Sequence, residues 1–92
     1  MQKQQAALIH DAKKEEKKYI DLDSFALDSV PQDLLELSTL LKLNMANNKI
    51  TEIPETIYKL AELRVASFYN NKLEELPRGI NQIPSLRRLV VR

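Results

Sequence analysis

Few residues in this chain are equipped for reaction chemistry. His10 is the single histidine, Asp11 beside it is the nearest carboxylate in sequence, and cysteine is absent. A nucleophile or general base needs an orienting partner held in a pocket, and one imidazole near a chain end does not provide it. Without a thiol or a second histidine, the usual zinc ligand sets are missing. Gly79 is the only glycine, so no glycine-rich loop exists to cradle a phosphate. These residues point away from an enzyme, and no catalytic, cofactor-binding or metal-binding residue is assigned.

Other residues recur at a fixed interval. Asn48 and Asn71 lie 23 residues apart, each preceded by a second asparagine. A carboxamide carries two donors and an acceptor, which suits a turn whose backbone groups cannot reach water. Asn47 and Asn70 suit the unusual backbone angles of such a turn. The same interval aligns Leu40 with Leu63 and Leu86, Leu43 with Ala66 and Leu89, and Met45 with Phe68 and Val91. It also aligns Pro31 with Pro54 and Pro77, so a structural role is assigned to Asn48, Asn71, Pro31, Pro54 and Pro77. A repeat of this length signals a solenoid whose units are stable only when stacked.

The elements follow from the columns. Alternation of apolar and polar residues around Leu43 and Met45, and around Ala66 and Phe68, predicts short strands with one buried face, so that Lys42, Asn44 and Ala46 point outward in one unit and Val65, Ser67 and Tyr69 in the next. Strands one repeat apart must lie parallel and adjacent. Each proline closes a second apolar layer (Ile50–Ile53, Leu73–Leu76) and is followed by apolar residues at i and i+3, the spacing of a short helix or 3₁₀ segment on the outer side. Gly79 falls in one of these segments, where it reads as tolerated. Residues 1–18 do not match the repeat. They read as a capping helix with Leu8, Ile9 and Ala12 against the first unit, because a solenoid end needs a polar-faced cover. Residues 19–92 then hold three units and the start of a fourth, which stops uncapped inside its strand.

Composition narrows the setting. The net charge of +1 conceals a gradient: residues 19–41 hold five acids and no base, whereas 65–92 hold five bases and two acids. No stretch approaches the ~20 apolar residues of a membrane span, and the N-terminus lacks a signal-peptide core. A cytoplasmic setting is expected, in keeping with the lack of disulfides. Arg87, Arg88 and Arg92 cluster, but alternation places Arg87 away from Arg88 and the chain is nearly neutral, so no nucleic acid is expected as partner.

The units Leu40-x-x-Leu-x-Met-x-x-Asn-x-Ile-x-x-Ile-Pro-x-x-Ile-x-x-Leu60 and Leu63 through Ile83 resemble the 23-residue Leu-Pro class of intracellular leucine-rich repeat proteins. The lead-in from Leu8 to Asp23 is similar to the start of Ras-suppressor-like members. The resemblance implies an α/β leucine-rich repeat solenoid, a short right-handed superhelix with parallel strands on the concave face and short helical or 3₁₀ segments on the convex face. It also implies a non-catalytic protein-interaction module, in small-GTPase signalling or adhesion scaffolding, that binds a protein partner through the concave face. The outward strand positions are the candidates: Tyr19, Asp21, Lys42, Asn44, Val65, Ser67, Tyr69, Arg88 and Val90. The alternative is a structural piece of a larger assembly, docking or self-associating through the uncapped end. Two departures stand out: Phe25 occupies the asparagine column, predicting an irregular first turn, and Ala66 replaces leucine in the strand.

Overall fold

The structure, a computed structural model, describes residues 2–92, with side chains from residue 5 onward. Helix α1 (Gln2–Lys14) leads into four three-residue strands: β1 (Tyr19–Asp21), β2 (Lys42–Asn44), β3 (Val65–Ser67) and β4 (Arg88–Val90). Three 3₁₀ segments connect them, Gln32–Glu36, Glu55–Lys59 and Arg78–Gln82. The sheet is parallel in the order β1-β2-β3-β4, and Leu43 pairs with Ala66 and Ala66 with Leu89 in register. The side chains expected to pile up between units therefore do so. No helix among the described residues is long and apolar enough to cross a membrane.

The outer segments are 3₁₀ because their apolar residues and their hydrogen bonds share a period of three. Each begins at a proline, whose fixed φ presets the turn and whose carbonyl accepts the first bond. In the second unit Ile57 donates to the Pro54 carbonyl (3.0 Å), Leu60 to Ile57 (3.0 Å) and Leu63 to Leu60 (3.1 Å). This staircase buries Ile57, Leu60 and Leu63 and delivers the chain to the next strand. In the third unit the equivalent bonds, Ile80 to Pro77, Ile83 to Ile80 and Leu86 to Ile83, run from 3.2 to 3.4 Å.

Asn48 is the one buried polar residue among those described, and its bonds reach back a full unit. Its Oδ1 accepts the N–H groups of Phe25 and Leu27, each at 3.0 Å. Its Nδ2 donates to the carbonyls of Leu22, Met45 and Ala46. Asn71 repeats the arrangement, accepting from Ile50 and donating to Met45, Phe68 and Tyr69. Each asparagine thus ties its own turn to the one before. The first turn, which has Phe25 in that column, is satisfied by its neighbour's amide and is irregular: Ser24 and Ala26 both have positive φ (63° and 57°). The later turns have one such residue each, Asn47 at 58° and Asn70 at 57°, the type that tolerates this region best.

Three expectations are corrected. Leu8 is 38% exposed, and the residues of α1 buried against the first unit, among those described, are Ile9 and Ala12. Ala46, expected to point outward, is buried, because the chain has left the strand at Asn44 and the alternation no longer applies. Gly79 is required rather than tolerated. A Cβ built there would lie 2.0 Å from the Glu55 carbonyl oxygen, and Gly79 N–H donates to Glu55 Oε1 at 3.1 Å. The second and third 3₁₀ segments approach so closely that only hydrogen fits.

Candidate functional site

Register converts the outward residues into rows across the sheet. Tyr19, Lys42, Val65 and Arg88 form one row, and Asp21, Asn44, Ser67 and Val90 form the next. Adjacent strands are ~4.8 Å apart, so neighbours in a row sit within side-chain contact range. Tyr19, Asp21, Lys42 and Arg88 are exposed, whereas Asn44, Val65, Ser67 and Val90 are half-buried. Tyr69, just beyond β3, is 52% exposed, and Tyr19 at the other end of the sheet is 49% exposed. Two large aromatic side chains thus stand in water, and Lys42 lies beside Tyr19 in its row.

The C-terminal ends of the strands carry a polar ladder. Asn70 Nδ2 donates to Asn47 Oδ1 (2.9 Å), Asn47 Nδ2 to Asp23 Oδ1 (3.1 Å), and Asn44 Nδ2 to Asp21 Oδ1 (3.2 Å). Hydrogen bonds from Ser24 and then Asn47 hold the Asp23 carboxyl below the usual carboxylate range. Loss of hydration, with the Asp21 carboxylate adding to it, raises the Tyr19 phenol above its ordinary value. Aspartate and asparagine at unit spacing signal this ladder in the sequence, but only the register shows that they meet.

Clefts on the molecule are shallow and open. One of about 390 Å³ runs beside Val30, Pro31, Ile53, Pro54 and Pro77 on the outer side. Another, of about 480 Å³, lies between Tyr69 and Leu76 near Val91. His10 is exposed on α1, away from the sheet rows. Among the described residues no group of three histidines or carboxylates is placed to hold a metal ion. Pro31, Pro54 and Pro77 precede the three 3₁₀ segments and, like Asn48 and Asn71, are used in holding the scaffold.

The chain is similar to the solved leucine-rich repeat domain of the type III effector XopL, with a TM-score of 0.86 and 28% sequence identity. The likeness covers 96% of this chain and 30% of that one. No protein-family profile matches the chain, and no curated protein does.

Proposed function

Because the chain folds as a leucine-rich repeat solenoid, a typical non-enzymatic interaction scaffold, we propose that it is a protein-interaction module whose concave sheet face binds a protein partner. The observation that carries this reading is the in-register row Tyr19–Lys42–Val65–Arg88, with Tyr69 exposed just past the end of β3: aromatic and cationic side chains set across a parallel sheet. Tyrosine and arginine are the side chains that most often dominate binding energy at interfaces. Pre-formed strands also present them with little ordering cost. The proposed setting is cytoplasmic, with small-GTPase signalling or adhesion scaffolding as the contexts that the family resemblance implies.

A photo-reactive amino acid at position 69, with position 58 on the convex side as control, tests the face directly. Adducts with a protein at 69 and none at 58 are expected. The double substitution Tyr69→Ala with Arg88→Glu should also weaken capture of that protein about tenfold or more. Adducts only at 58, or capture untouched by the double substitution, would refute the concave assignment.

A second reading rests on the β4 edge. Leu76 there is 45% exposed, and Leu73, Leu89, Val90 and Val91 are only half-buried. An unpaired strand beside apolar side chains invites pairing with another chain. Sedimentation over a concentration series would reveal it as growing mass, and a constant monomer mass would remove it.

A further inference from the structure

The rim where the strands begin differs in charge from the rim where they end. Backbone bonds join Leu41 N–H to the Lys18 carbonyl, Arg64 N–H to that of Leu41, and Arg87 N–H to that of Arg64, each at 2.8 Å. Lys18, Leu41, Arg64 and Arg87 therefore form a row of their own, directly before the row of Tyr19, Lys42, Val65 and Arg88. The N–H of each following residue (Lys42, Val65 and Arg88) shares the same carbonyl, so the two rows adjoin at this rim. Lys18, Lys42, Arg64, Arg87 and Arg88 are all exposed. The ion pairs among the described residues, Lys13–Glu36 and Lys17–Glu15, use none of them. Glu16 and Glu62, two residues before Lys18 and Arg64, pair with neither. At the opposite rim Asp21, Asp23 and the asparagine ladder stand together with Lys49 and Lys72, so charge there is mixed.

We propose that this N-terminal rim docks an acidic peptide segment of a protein partner, laid across the four strands against Lys18, Lys42, Arg64, Arg87 and Arg88. The proposal rests on the concave face being the binding face and adds the chemistry of what it binds. Four strands at ~4.8 Å spacing make a strip about 14 Å long, which about five residues of extended chain would cross. Five cations without partners along such a strip raise the local concentration of a polyanion and fix its direction. A peptide fits better than a nucleic acid because the five cations form one narrow strip, whereas phosphate-led binding needs a broad basic face.

The test measures fluorescence anisotropy of a labelled ten-residue glutamate peptide with the intact chain, beside its glutamine counterpart and an oligothymidylate of equal charge. The glutamate peptide should bind, weaken steeply with added salt, and lose about tenfold in affinity on Lys42→Glu with Arg88→Glu. Circular dichroism checks that the variants keep their fold. The control pair Lys49→Glu with Lys72→Glu, two exposed cations past the other strand ends, should change affinity about twofold or less. Equal binding of the glutamine peptide, an equal loss in the control pair, or tighter binding of the oligothymidylate would each overturn the proposal. If the peptide fails while photo-adducts still form at position 69, the acidic-partner claim falls and the concave-face reading stands.

Discussion

The second and third units carry the same motif and are held very differently. In the second, Ile50, Ile53 and Ile57 are 0%, 3% and 0% exposed. In the third, the equivalent Leu73 and Ile80 are half-buried and Leu76 is 45% exposed. Asn48 makes five hydrogen bonds and is 7% exposed, whereas Asn71 makes four and is half-buried. The residue types hardly change between the two units. What changes is the neighbour: the second unit is flanked by complete units, while the described residues after the third contribute mainly a strand. Burial in this fold is a property of position in the stack, as expected when each unit contacts only its neighbours.

Matched substitutions in one column are the strongest way to break that contrast. Ile53→Ala should cost about 3 kcal/mol, a large share of the stability of a domain this small. Leu76→Ala, one unit on, should cost under about 1 kcal/mol, since its side chain already faces water. Urea unfolding followed by circular dichroism measures both. Equal losses would mean that the two units are packed alike and that the exposure difference is inconsequential. Where Ile53→Ala fails to fold, Ile53→Val, at about 1 kcal/mol, keeps the comparison measurable.

The asparagine column gives the next largest contrast. Asn48→Ala strands the Phe25 and Leu27 N–H groups and the Leu22 carbonyl among buried residues, at about 2–4 kcal/mol in all. Asn71→Ala leaves groups closer to water and should cost about 1–2 kcal/mol. A larger loss for Asn71 in the same unfolding experiment would show that solvent access does not set the value of the ladder.

How much of this was legible in the sequence differs by link. The period of 23 placed Leu43, Ala66 and Leu89 side by side, because equivalent positions in a solenoid must stack whatever their neighbours do. The apolar spacing after Pro54 announced a short helix or 3₁₀ segment, and the chain of bonds Pro54–Ile57–Leu60–Leu63 makes it 3₁₀. The rows of the candidate face were readable as columns, but their exposure was not: Val65, Ser67 and Asn44 are half-covered by surroundings that no local pattern encodes. Ala46 was misread because alternation was extended past the strand's end. Gly79 was misread because its constraint is a contact with Glu55, 24 residues away, in a column that holds no other glycine.

Gly79 gives a prediction of intermediate size with a diagnostic sign. Replacing a glycine by alanine ordinarily stabilises by about 0.4–1 kcal/mol when the backbone permits, through loss of freedom in the unfolded chain. Here the added methyl must displace the Glu55 carbonyl or move one 3₁₀ segment off the other, which costs about 1–3 kcal/mol. Gly79→Ala should therefore destabilise on balance, with a lower urea midpoint. A raised midpoint would show that the third unit yields easily and that the close approach of the two segments is unimportant.

The smallest effect concerns the other end, where α1 is fastened to the first 3₁₀ segment by Lys13 and Glu36. Both side chains are more than half exposed, so the pair should contribute only in the range of weak surface ion pairs. Its pH dependence is nonetheless fixed in sign. The hydrogen bond from Lys13, reinforced by its charge, lowers the Glu36 pKa, so this contribution is present above the unfolded value and lost as pH falls through the folded one. The same bond to Glu36 raises the Lys13 pKa, so at the alkaline limit the contribution is present below the unfolded value and lost as pH rises through the folded one. Wild type should therefore melt slightly above Glu36→Gln at about pH 7, and the gap should close by about pH 2, where both carry a neutral group. Added salt at about pH 7 should narrow it as well. A gap that persists in acid would mean that Glu36 fastens the helix by packing rather than by charge. Helix α1 would then be held to the first unit by packing throughout, with the Glu36 side chain adding to the buried Ile9 and Ala12.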